Sequence, residues 1–101
     1  MSLSRHRAEE RGEFVISRQV LRSGTSIGAN IEEASKAQSD RDFVHKLSVA
    51  LKEAVETNYW LRLLRDSKTL ESALAGSFLR DCEEIQKMLT ASIRTMKRRM
   101  P

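Results

Sequence analysis

Apolar residues recur at helical spacing in three stretches, each followed by a polar break. In the first, Phe14, Ser17, Leu21, Gly24, Gly28 and Ile31 form one row at intervals of three and four. Ile16, Val20, Ser23, Ile27, Asn30 and Ala34 form a neighbouring row. Together they predict a helix over 13–34 with a broad face rich in small residues. Gly24 and Gly28 each cost a helix about 1 kcal/mol relative to Ala, so a break near Gly24 is the alternative. A continuous helix is preferred, because glycines four apart on an apolar face let another backbone approach closely.

The second stretch opens with Ser39 followed three residues on by Asp42, a shorter relative of the capping box. Asp40 and Asp42 also put negative charge where the helix dipole favours it. Phe43, Leu47, Ala50, Ala54, Thr57, Leu61 and Leu64 then mark one face, and the pattern predicts a helix over 40–65. Residues 66–69 read as a short connection, which makes the flanking helices antiparallel neighbours. The third helix is expected over 70–99 with Thr69 as its cap. Its stripe is Leu74, Phe78, Cys82, Ile85, Leu89, Ser92 and Met96. Residues 1–12 carry no apolar face and are expected to be a frayed or polar extension, leaving 13–101 as the bundle domain. The fold class is therefore all-α, an antiparallel up-down bundle.

Composition agrees with one small domain. The 101 residues are 40% hydrophobic and 32% charged, with one Pro and four Gly, too little turn punctuation for a sheet protein. The single Cys permits no internal disulfide and fits a reducing compartment. No apolar run approaches the ~20 residues of a membrane span, and the N-terminus lacks the apolar stretch of a secretory signal. A cytoplasmic location is expected.

Two blocks then carry a resemblance. The first is Arg18-Gln19-Val-Leu-Arg22-Ser23-Gly24-Thr-Ser26-Ile27-Gly28-Ala29-Asn30-Ile-Glu32-Glu33-Ala34. The second runs from Ser39-Asp-Arg-Asp42-Phe43-Val-His-Lys46-Leu to Leu51-Lys52-Glu53-Ala-Val-Glu56-Thr57-Asn-Tyr59-Trp60-Leu61-Arg-Leu-Leu64. The order and spacing resemble the bacterial four-helix-bundle family called 23S rRNA intervening-sequence protein, or S23-like, from about Glu13 to the C-terminus. The resemblance implies a four-helix plan. Family members carry a further helix upstream of the segment beginning near Phe14, where this chain has about a dozen polar residues. Three helices of that plan, with the first missing through a late start or a truncated reading frame, are thus expected here. The resemblance also implies ring-like homo-oligomers, commonly pentamers, an assembly that loss of the first helix puts in question. RNA or a nucleic-acid enzyme is the implied partner.

Candidate chemistry is sparse. Asp42 and His45 have the carboxylate–His spacing of a bundle metal site, but the only other His is His6, so a solvated His45 is the expectation. Cys82 lies on the apolar stripe and is expected to be buried and inert. Gly24 to Ala29 lacks the Gly-Lys-Ser/Thr ending of a phosphate loop. No catalytic residue, metal or cofactor is predicted. Asn30, Glu33, Lys46 and Glu53 are expected to join in a half-buried polar network that sets helix register. Ser23, Gly24, Gly28 and Trp60 complete the structural motif.

Charge is the remaining clue. The chain has 18 Lys+Arg against 14 Asp+Glu. Arg94, Lys97, Arg98 and Arg99 cluster at the end of the third helix, more cations than the dipole alone explains. With Arg18 and Arg22 they form the candidate phosphate-binding set. Trp60 and Tyr59, the only Trp and Tyr, fall inside a packed motif, so base stacking is not expected. The leading expectation is a non-catalytic, oligomeric, RNA-linked scaffold. The alternative is a protein-interaction module that binds another helical protein.

Overall fold

The computed structural model describes residues 3–101, with side chains from residue 11 onward. Three helices follow one another: α1 (Leu3–Ser35), α2 (Asp40–Asp66) and α3 (Ser72–Arg99). Among the described residues there is no strand. Helix α1 begins ten residues before the expected start at 13. Arg, Ala and Glu dominate residues 5–11, and all three are good helix formers, so the helix continues outward from its packed part. Gly24 and Gly28 do not interrupt it.

The N-terminus of α2 is capped as the sequence predicts. The Ser39 hydroxyl accepts from the Asp42 backbone N–H at 3.0 Å. Its C-terminus closes differently from a simple loop. Thr69 N–H donates to Leu64 O and Lys68 N–H to Arg65 O, the paired bonds of a Schellman ending. Lys68 supplies the left-handed residue at φ 61°. Thr69 is consequently engaged in this turn, where its hydroxyl meets Ser67 and reaches Glu13 of α1. It does not cap α3, which starts at Ser72 after Glu71 without a side-chain cap. The left-handed region costs a residue with a Cβ about 1 kcal/mol or more. Lys68→Gly is expected to raise stability by about 0.5–1 kcal/mol, read from the urea midpoint.

The helices alternate in direction. Glu13 lies by Thr69, Ser23 by Thr57 and Glu33 by Lys46, so α1 and α2 are antiparallel. Helix α2 occupies the centre. It packs on α1 along one side and on α3 along the other, while among the described residues no α1 Cα comes within 8 Å of an α3 Cα. The core follows α2, with Leu47, Ala50, Ala54 and Leu61 meeting Ile27 and Ala34 of α1 and Leu79, Cys82 and Leu89 of α3. Ala50, Ala54, Ala75 and Ser23 have no exposed surface. These small residues allow close helix approach. The molecule measures 62 Å along its length, against roughly 40 Å for the 27 residues of α2, because the start of α1 overhangs the bundle.

Each outer helix has two apolar rows, and only one of them packs. On α1, Val20, Ser23, Ile27 and Ala34 face α2, whereas Phe14, Leu21 and Ile31 are 62%, 68% and 40% exposed. On α3, Ala75, Leu79, Cys82 and Leu89 are buried, whereas Leu74, Phe78 and Met88 are exposed. The stripe expected on α3 therefore divides: Cys82 and Leu89 pack, while Leu74 and Phe78 turn away. The reason is the central place of α2. Each outer helix packs mainly on α2 and buries about one row. The second rows border an open groove lined by Val20, Gly24, Ile27, Gly28 and Ile31 of α1, Thr57 and Leu61 of α2, and Phe78, Cys82 and Ile85 of α3. The groove is apolar surface that these three helices leave uncovered. A Cβ added at Gly24 or Gly28 meets no atom within 4 Å. The close backbone approach expected there is absent within one chain.

Candidate nucleic-acid interface

The basic end of α3 is held by apolar anchors. Ile93 is half-buried against the core and Met96 is partly covered. This fixes the rotation of the last two turns. Arg94, Lys97 and Arg98 then share one flank and line a shallow cavity of about 390 Å³ with Leu51, Thr90 and Ile93. Among the described residues, no carboxylate lies within ion-pair distance of these cations. Arg99 departs from the expected cluster. It is five residues beyond Arg94, which places it roughly 140° around the helix. Arg80 and Lys87, at seven-residue steps before Arg94, continue the basic flank along α3. Sequence reading missed them, although the spacing was legible. Lys87 is partly committed to Glu84 at 3.6 Å.

The two α1 arginines do not join this surface. The Arg22 guanidinium pairs with Glu56 and lies 3.5 Å from Glu53 across the α1–α2 contact. Glu56 also accepts from Trp60 Nε1 at 3.3 Å. Two carboxylates already neutralise Arg22, so its guanidinium ties α1 to α2. Arg18 sits 5.6 Å over the Phe14 ring and lines a separate surface cavity with Val15, Gln19, Leu21, Arg22 and Thr25. Ile31 and Ala34 of α1 lie across a second apolar cavity from Ile85 and Met88 of α3. The end of α1 therefore neighbours the basic half of α3, and Arg18 belongs to the other half.

The expected polar network splits into local pieces. Asn30 donates to Ser26 O on its own helix at 2.9 Å, a local bond that competes with any partner across the interface. Lys46 pairs with Glu33 at 2.8 Å. Lys46 and Glu53, seven residues apart, are separated by roughly 10 Å along the axis, beyond a direct pair. The buried polar contact is Ser23 with Thr57. Ser23 Oγ accepts from Thr57 Oγ1 at 2.7 Å and donates to Gln19 O at 2.9 Å. No buried side-chain polar atom among the described residues lacks a partner. Tyr59 is 48% exposed, contrary to its expected place inside a packed motif. It stacks edge-on to Trp60.

The carboxylate pair at Arg22 has opposed titrations. Burial and the nearby Glu56 raise Glu53 above the usual carboxylate range. The hydrogen bond from Arg22 lowers Glu56. As pH falls, the native state loses the contribution of Glu56 but gains from protonating Glu53, so the two partly cancel. Glu53→Gln removes the gain. The variant is expected to lose more stability than the wild type between about pH 7 and pH 3, measured as urea midpoints across that range.

Cys82 is buried. Its thiol donates to Ala54 O at 3.1 Å, and burial raises its pKa. Among the described residues, no three His, Cys, Asp or Glu side chains gather as metal ligands. Among the same residues, no helix is long and apolar enough to cross a membrane.

No curated protein matches the chain. A solved structure of a protein of unknown function from the S23 ribosomal protein family of Bacteroides thetaiotaomicron is 53% identical. The match covers 84% of this chain and 79% of that one, with a TM-score of 0.79. The family model described as 23S rRNA-intervening sequence protein matches residues 2–91. That span takes in both motif blocks, α1, α2 and most of α3, and the chain belongs to the 23S rRNA-intervening sequence protein family.

Proposed function

We propose that this protein is a non-catalytic, self-associating helical scaffold of the cytoplasm that holds RNA by its phosphate backbone at the basic flank of α3. The observation that carries this reading is the convergence of Arg94, Lys97 and Arg98 on one cavity without a carboxylate among the described residues. Such a cluster exceeds what a helix C-terminus needs for its dipole and matches the spaced cations that neutralise phosphates. The family's link to 23S rRNA favours RNA as the polymer. Because the cations contact phosphate and not base edges, binding is expected to discriminate weakly between sequences. Several copies in one assembly would add avidity.

A second reading has its own support. The apolar groove between α1 and α3 is open and suits a protein-interaction module that accepts a helix from another protein. One titration separates the two. Fluorescence anisotropy with a labelled single-stranded RNA, repeated at several salt concentrations, is expected to show affinity falling steeply with salt. Absent or salt-independent binding would move the function to the interaction module.

A further inference from the structure

An apolar ridge leads out of the cavity at the basic end of α3. Leu51 lines that cavity, and Val55 and Tyr59 follow it on α2 at steps of four, the spacing of one ridge on a helix surface. Val55 and Tyr59 are 54% and 48% exposed. Arg62 closes the far end. Its guanidinium carbon lies 5.9 Å from the centre of the Tyr59 ring, and its Nε donates to Asn58 Oδ1 at 2.9 Å. Trp60 meets the same ring edge-on, so the ring is held in place while much of it stays open. The other wall is α3. The Cys82 thiol meets Ala54 O and the two helices are antiparallel, so stepping back from Arg94 through Lys87 to Arg80 follows the ridge from Leu51 towards Tyr59. Arg80 falls within about one turn of Tyr59 along the axis. Its Nη1 lies 3.4 Å from the place a Cβ would take at Gly76. The guanidinium thus folds back over the glycine, towards the level of Arg62. Arg94 is nine residues, about half a turn in direction, from Ile85 of the apolar groove, so the cleft and the groove lie on opposite sides of α3.

We propose that the RNA site continues along this α2–α3 cleft and takes a single strand, with phosphates on the α3 cations and an unpaired base stacked on Tyr59 beside Arg62. The inference rests on the phosphate reading of the basic flank and deepens it by naming the class of RNA. The two walls select the occupant. The cations of α3 call for a polyanion, and the open aromatic ring calls for a flat group with a π-face. A protein helix would match the ridge and leave the cations unanswered. A duplex would match the cations and keep its bases stacked inside, away from Tyr59. Arg80 to Arg98 spans roughly 27 Å, room for several nucleotides of an extended strand. Two carboxylates border the cleft. Asp66 pairs with Arg65 at 3.0 Å. Glu83 stands between Arg80 and Lys87 on their flank, while Lys87 pairs with Glu84 instead, so Glu83 opposes a polyanion there.

The probe is an oligouridylate of about 12 nucleotides, within the range that single-strand sites cover, with the same strand paired to oligoadenylate as the duplex. Trp60 is the only Trp of the chain, and its ring centre is 5.1 Å from that of Tyr59. A base on Tyr59 therefore changes Trp60 emission, whereas phosphate contacts at Arg94 leave it alone. The wild type is expected to bind the single strand more tightly than the duplex and to show the emission change only with the single strand. Tyr59→Leu is expected to bind the single strand about fivefold or more weakly, keeping its salt slope and losing the emission change. Tyr59→Phe retains the ring and is expected to retain both. Circular dichroism verifies the fold of each variant. Glu83→Gln is expected to tighten binding about twofold. A strand held only at the end of α3 would not feel that change, because Glu83 is roughly 16 Å from Arg94 along the axis, beyond the Debye length of about 10 Å at 0.1 M salt. Unmoved Trp60 emission, wild-type affinity in Tyr59→Leu or Glu83→Gln, or a duplex bound as tightly would overturn this site and leave the basic flank as the RNA contact. No binding, or binding indifferent to salt, would overturn both readings.

Discussion

Replacing Ala54 by Leu is expected to cost about 3 kcal/mol, near the upper end of ordinary overpacking. Ala54 has no exposed surface and sits on the middle of α2, between α1 and α3. Its backbone carbonyl already accepts the Cys82 thiol at 3.1 Å, so the α3 side cannot recede without losing that bond. One turn further along α2, Thr57 is locked to Ser23 at 2.7 Å, which restricts movement towards α1. The extra carbons thus have nowhere to go unless a helix is displaced. Against a total stability of roughly 5–15 kcal/mol for a small domain, the loss is large. It would lower the urea midpoint by about 1–3 M at an unchanged slope. The contrast with position 24 makes the test specific. Gly24 also lies on an apolar helix face, yet a side chain added there enters open groove, so bulk at position 24 leaves the monomer folded.

The second large effect concerns RNA. Changing Arg94, Lys97 and Arg98 together to Gln keeps good helix formers in the last turns and removes three candidate phosphate contacts. Each contact contributes about −0.7 to the log–log salt slope on a single strand. The variant's slope is therefore expected to be flatter by about 2. Between about 50 and 200 mM salt, the wild type would lose roughly twentyfold more affinity than the variant. Arg99→Gln alone is expected to change little, because Arg99 stands off the shared flank. Arg22→Gln is also expected to leave the slope unchanged, because its guanidinium is already held by Glu53 and Glu56. Equal slopes for the triple variant and the wild type would remove α3 as the RNA contact.

Much of the architecture was legible along the chain. The α2 face of Leu47, Ala50, Ala54, Thr57, Leu61 and Leu64 is the buried row of that helix, because a central helix shows its packing directly in its 3.6-residue period. The Ser39 cap was legible for the same reason: it depends only on residues three apart. The closing turn of α2 was not. Its Schellman bonds engage Thr69, and the left-handed residue is a lysine, so the usual glycine marker is missing.

The sequence by itself determined three antiparallel helices, the α2 core and the presence of cations at the end of α3, since each follows from local periodicity and composition. Only the tertiary structure decided which of two apolar rows on α1 and α3 is buried. Periodicity places residues on a face but does not say how many neighbours that face will meet. With α2 between them and α1 and α3 backbones apart among the described residues, one row packs on each outer helix and the other remains at the groove. The same arrangement decided the arginines. Arg22 and Arg94 look alike in sequence, yet Arg22 meets two carboxylates across a helix contact while Arg94 turns to an open cavity beside Lys97 and Arg98. Charge pairing depends on what the neighbouring helix presents, and that is set by how the helices cross.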